Sequence, residues 1–217
     1  MGALIGDLLP SALGVAISPV PIIAAILMLF GKHARTTSLG FAAGWIMGVL
    51  AATALFTGLG SAARETSSAT GWIVLAAGVL LLAEGVREWR ARSGVASTPK
   101  WMAAIDEMKP LAGAGIGFVL AAVNPKNLLL CVAAGMQIGA AGLTTGGTVV
   151  AIVVFAVIAS STVAVPVFAY QVAADRLRGP LASLKAWLEA NNKAVMAVLI
   201  LVLGVVLIGK GLGAVTG

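Results

Sequence analysis

Six apolar runs, each about as long as a helix needs to cross a bilayer, take up most of this chain. They cover residues 4–30, 38–59, 70–86, 111–139, 149–172 and 194–212. A hydrocarbon core about 30 Å thick takes roughly 20 helical residues. Inside it every backbone polar group must be satisfied within the protein, which leaves helices or closed barrels. Barrel strands alternate in short segments, and no such alternation occurs here. Of 217 residues, 60% are hydrophobic and only 10% are charged, against about 25% charged in soluble domains. The expected fold is all-α: a polytopic membrane protein with six transmembrane helices in a single domain, 1–217. The first run has no basic leader and no clear cleavage site, so it reads as a span and not as a signal peptide.

The net charge of +6 is explained by topology and does not imply a nucleic-acid partner. Lys32, Arg35, Arg87, Arg90, Arg92, Lys100, Lys109, Arg176, Arg178, Lys185 and Lys193 fall in one set of loops; Arg64 and Lys210 fall on the other side. The excess of basic residues marks the cytoplasmic side of an inner (plasma) membrane protein. Both termini then face outward. Two longer cytoplasmic segments have helical apolar spacing: Trp101, Ile105 and Met108 in 99–109, and Leu181, Leu184 and Leu188 in 180–189. Each reads either as an amphipathic helix on the membrane surface or as a connector packed under the bundle.

The chain also contains a weak internal repeat. Ser18-Pro19-Val20-Pro21 and Asn124-Pro125-Lys126-Asn127 sit inside the first and fourth runs, 106 residues apart (124 − 18). Three runs per half is an odd number, so the halves must be inverted, as in many secondary transporters. The expected plan is a first repeat over 1–95, a cytoplasmic connector over 96–109 and a second repeat over 110–217, with the first and fourth helices broken. A proline inside a helix removes a donor and displaces the carbonyl four residues back. Pro19, Pro21 and Pro125 should therefore free the carbonyls of Val15, Ile17 and Ala121. Ser18, Asn124 and Asn127 supply polar side chains beside them. Two such breaks form a candidate substrate site; the plainer reading is a pair of packing kinks.

Lys126 is the residue least at home in its run. A mid-span lysine costs roughly 2.5–3.5 kcal/mol on insertion scales. It should face a cavity, a distant carboxylate or an anionic ligand, unless its side chain reaches the interface. The candidate substrate-binding set is Ser18, Pro19, Pro21, Asn124, Pro125, Lys126 and Asn127. Gln137, Ser161, Tyr170 and Gln171 are secondary pathway candidates, and Asp7 and Glu84 are candidates for coupling. Gly40, Gly44 and Gly48 form a stripe suited to close helix approach, for a homodimer or for internal packing. His33 reads as a solvated loop residue.

No cluster of carboxylates, His or Cys marks a metal site. No base sits near the intramembrane serines, so hydrolysis is not expected, and Cys131, the one cysteine, cannot form an internal disulfide. No enzyme activity and no cofactor are expected.

The two proline motifs, on spans one and four of six, resemble those of the LysE-type exporter superfamily. Within it the chain is most similar to the GAP family of actinobacteria, the sulfolipid- and glycopeptidolipid-addressing proteins. That resemblance implies export of an anionic or amphipathic substrate, a small metabolite or an envelope glycolipid, with Pro19, Pro21, Asn124, Pro125 and Lys126 in the functional core. Amino-acid exporters typically show a Pro-Gly-Pro-like turn where this chain has Ser-Pro-Val-Pro, which argues against amino acids as the cargo. The expected partners are membrane lipids, the substrate itself, a second copy of the chain or a lipid-export machinery. The alternative function is a non-transporting accessory subunit of that machinery.

Overall fold

The computed structural model describes residues 1–62, 67–90 and 108–216, with the side chains of 67–70 left aside. Every regular element among them is a helix: α1 (Gly2–Ala16), α2 (Pro19–Phe30), α3 (Ala34–Ala62), α4 (Ser67–Arg90), α5 (Pro110–Ala122), α6 (Pro125–Ala140) and α7 (Thr145–Thr216). The segment carrying Trp101 and Ile105 lies outside the described residues.

Two helices, α3 and α7, are each long and apolar enough to cross a membrane. The pairs α1 + α2 and α5 + α6 also qualify if each is taken as one span bent by 52° and 63°. The chain is thus a polytopic helical protein built for an apolar surrounding. Among the described residues α4, which carries Glu84, Arg87, Glu88 and Arg90 in its last two turns, does not join that set.

The bends have a local cause. The residue before a proline is pushed out of the α region into extended backbone. Ser18 lies at φ −77°, ψ 112° and Asn124 at φ −61°, ψ 120°. Pro19 and Pro125 each then open a new helix at its first position, where a missing N–H costs nothing.

Helix α7 has 72 residues and would measure about 108 Å if straight. It is broken at Ala173, whose φ of −135° and ψ of 44° are not helical. The arms 145–172 and 174–216 contain the fifth and sixth apolar runs. The segment 180–189 is not a separate short helix, because helical backbone is continuous from 174 to 216. Leu181 and Leu188 are buried there, while Leu184 and Trp187 are exposed. Between α6 and α7, Gly142 turns the chain at φ 65°, a conformation open to glycine.

Close contacts give the helix directions. Gly71 lies against Val215, Gly78 against Ile208 and Gly85 against Leu201, so α4 runs antiparallel to 174–216. Gly40 meets Pro110, Gly44 meets Ala114 and Gly48 meets Phe118, so α3 and α5 run parallel. α6 continues along α3, with Gly135 against Thr53 and Gly139 against Thr57. The broken pair, 13 and 16 residues, thus lies beside a continuous helix of 29. The glycine stripe on α3 is used here: it lets the α5 backbone approach, and Gly113 and Gly117 do the same toward Thr37 and Phe41. It therefore gives no reason to expect a dimer.

Large apolar side chains such as Leu55, Val157, Val165 and Val202 are more than half exposed on the outside of the bundle. α2 is the reverse, buried on nearly every face.

Candidate functional site

The break between α5 and α6 is held by its own polar side chains. Asn124 caps α6, its Oδ1 accepting from the Lys126 backbone N–H at 3.2 Å. Asn127 Nδ2 donates to the Leu120 carbonyl at 3.0 Å. In the first break, Ser18 N–H donates to the Val15 carbonyl at 3.2 Å, and Thr162 Oγ1 donates to the Ala16 carbonyl. The Val15 carbonyl, expected to be freed, is therefore satisfied by a tightened last turn. What stays unpartnered is side-chain chemistry: Ser18 Oγ and Asn127 Oδ1 are buried without a hydrogen bond among the described residues. In an apolar medium such atoms are costly.

Lys126 is 3% exposed. Its Nζ lies 4.0 Å from Met196 Sδ, a weak acceptor, and it makes no ion pair with a described carboxylate. The residue lines a cavity of about 500 Å3 with Pro125 and Val123 on one side and Leu80, Leu81, Glu84 and Arg87 of α4 on the other. Glu84 is bonded to Arg87, Oε2 to Nη1 at 3.2 Å. The 63° bend tilts α6, which puts Lys126 level with Met196 and the last two turns of α4. It thus lies toward the end of the bundle that carries Arg87, Arg90 and Lys193, although it stands halfway along the fourth apolar run.

The structure brings Pro125, Lys126 and Glu84 together in this cavity. Ser18, Pro19 and Pro21 do not line it. Asp7 and Gln137 meet elsewhere: Lys210 Nζ reaches Asp7 Oδ1 at 3.2 Å and Gln137 Oε1 at 3.5 Å, beside a smaller cavity of about 210 Å3. Ser161 bonds within its own helix, to the Ile158 carbonyl at 2.8 Å. Gln171 Nε2 donates to the Arg35 carbonyl at 3.3 Å. The Tyr170 hydroxyl accepts from Arg178 Nε at 3.3 Å, which pushes that guanidinium's pKa further up. His33 is exposed.

Two charged participants were absent from the sequence-based set. Arg87 enters the Lys126 cavity and Lys210 joins Asp7 to Gln137. Each is a cation at the end of an apolar helix, and each has an acidic partner; Glu84 stands three residues before Arg87, a spacing that pairs side chains on one helix face.

The buried cation, the polar break and the apolar walls suit an anion carried on a hydrocarbon body. Residues 8–213 match the family model described as SfLAP: Sap, sulfolipid-1-addressing protein. No curated protein and no solved structure matches the chain.

Proposed function

Because this chain belongs to the Sap, sulfolipid-1-addressing protein family, we propose that it is a secondary transporter that moves an anionic amphiphile outward across the plasma membrane. The cargo class is an envelope glycolipid or a related small metabolite with one acidic group. The observation that carries this reading is Lys126: a cation 3% exposed, without a carboxylate partner among the described residues, in a cavity at a helix break. Burying a charge without a partner is expensive unless a ligand uses it.

Six crossings as two inverted three-helix repeats account for the pairings. The two breaks share one register, with helices ending at Ala16 and Ala122 and restarting at Pro19 and Pro125. α3 and α5 run parallel while α4 and 174–216 run antiparallel, as alternating spans require. Both termini then lie outside, opposite the basic loops. Alternating access would rock one repeat against the other around the breaks. No nucleotide-binding motif appears in the sequence, so a gradient supplies the drive, with Glu84 and Asp7 as candidates to carry a coupling proton. No covalent step is invoked, and no cofactor.

A second reading is an accessory subunit of a lipid-export machinery. The exposed Leu184 and Trp187 favour it as a surface for a partner.

The test is a deletion strain rescued with wild type or with Lys126→Ala, read by mass spectrometry of the medium and of surface-extracted lipids. Wild type should restore one anionic species outside, and Lys126→Ala should not, at equal membrane abundance. Full rescue by Lys126→Ala would remove the lysine from the mechanism.

A further inference from the structure

The cavity beside Lys126 holds a second cation. Arg87 lines the same space of about 500 Å3, and among the described residues its guanidinium is engaged by Glu84, at 3.2 Å and one helical turn away. Glu84 lines it too. Across from them, Lys126 sits in the first turn of α6, a helix of 16 residues, whose positive dipole end favours an anion. The side chain of Arg87 is 79% exposed and that of Glu84 37%. An exposed pair of this kind is weak and easily exchanged. Lys126 is buried and lacks such a partner among the described residues.

We propose that Lys126 and Arg87 form a two-cation site for one monoanionic oxyanion group, and that Glu84 holds Arg87 while the site is empty. The charge balance sets the class. With Lys126 and Arg87 protonated and Glu84 ionised, the empty cavity carries one net positive charge. A sulfate monoester or a phosphodiester neutralises it; a phosphate dianion overshoots. The planar guanidinium offers two parallel donors to such a group, while the ammonium acts as a point charge. Leu80, Leu81, Leu128 and Leu129 wall the same cavity and accept the hydrocarbon beside the headgroup. Binding therefore exchanges one ion pair for another: the anion takes Arg87, and the Glu84 carboxylate is released to water. Glu84 is then the reset residue of the site.

This inference rests on the transporter reading, and the experiment separates the two. Purified full-length protein in zwitterionic nanodiscs is titrated with radiolabelled decyl sulfate, with unlabelled decyl sulfate, decanol and methyl sulfate as competitors. Lys126→Gln should weaken binding by about tenfold or more, as expected for loss of a charged partner. Arg87→Gln should weaken it by about threefold to tenfold, and Arg87→Lys by less, because the charge remains and the fork is lost. Glu84→Gln should tighten it by about twofold to fivefold, and that gain should vanish in the Glu84→Gln, Arg87→Gln double variant. Thermal unfolding of each variant checks the fold.

Neutral Arg87→Gln with damaging Lys126→Gln overturns the two-cation site and leaves the transporter reading standing. So does a Glu84→Gln gain that survives loss of Arg87. No saturable binding to wild type, or full binding to Lys126→Gln, overturns both. Displacement by unlabelled decyl sulfate and not by methyl sulfate identifies a lipid headgroup as the ligand, and equal displacement by methyl sulfate identifies a free monoanion; either supports the site. Displacement by decanol at equal strength overturns it.

Discussion

Gly44 shows how a single residue sets the spacing of two helices. A methyl there would collide with the Ala114 carbonyl of α5, and backbone cannot swing aside as a side chain does. Gly44→Val should therefore destabilise the protein by about 1–3 kcal/mol, the usual range for overpacking. Gly58→Ala has nothing within 4 Å of the new methyl and should be neutral or gain up to about 1 kcal/mol from helix propensity. Unfolding midpoints in one detergent compare them. The stripe of Gly40, Gly44 and Gly48 was legible in the sequence, but its partner was not, since small residues permit close approach without saying to what. Lys126 was legible for the opposite reason: a charge in an apolar run conflicts with its surroundings unless it reaches an interface or a partner. Glu84 was singled out in the sequence as a coupling candidate, but that it and Arg87 stand beside Lys126 was not legible, since they come from a distant stretch of chain.

The helix breaks carry the prediction at the scale of elements. Pro19 and Pro125 stand at first helical positions, so replacing either with alanine restores no missing bond inside a helix. Stability should change by less than about 1 kcal/mol. What alanine removes is the bar to helical backbone at Ser18 and Asn124, and with it the fixed bend that shapes the cavity. Pro125→Ala should therefore lower transport several-fold while the unfolding midpoint holds; a proportionate loss of both would make the proline a packing device only. The position of the breaks was legible in sequence because proline disfavours the α region in the residue before it and each motif adds a polar side chain there; proline alone does not decide it, since Pro10, Pro166 and Pro180 lie inside helices. The fate of the carbonyls did not. Thr162, which takes up the Ala16 carbonyl, lies 146 residues away, and the Val15 carbonyl is satisfied within its own turn. The segment 180–189 read as a separate element because Pro180 resembles a helix start, yet the turn before it is already helical.

Across the whole molecule, Asp7, Gln137 and Lys210 gather α1, α6 and the end of α7 at one end. Arg35 and Gln171 join at the other. In the proposed topology the first group faces outward and the second inward. A Cys131→Ser background removes the one native thiol, which is buried. Cysteine placed at Thr216 should then react with an impermeant maleimide added outside cells, and cysteine at Arg176 only after permeabilisation; the reverse pattern inverts the topology. The Asp7–Lys210 pair is partly exposed, so Lys210→Met should cost no more than about 1 kcal/mol, measured by unfolding with Asp7→Asn as the second arm of a double-mutant cycle. Six apolar runs made the helical membrane class plain from sequence, because apolar length is a local property. Which helix lies beside which depends on contacts across the chain, and it became visible only in the fold.

The most direct test of an outward carrier built around Lys126 is movement of a labelled anionic amphiphile by purified protein in liposomes. Wild type should move a sulfated long-chain lipid between leaflets faster than protein-free vesicles, with Lys126→Gln slower by about tenfold or more at equal reconstitution. Equal rates for wild type and Lys126→Gln, or a folded wild type that moves nothing, would contradict that role; the second result would leave the accessory subunit as the reading to pursue.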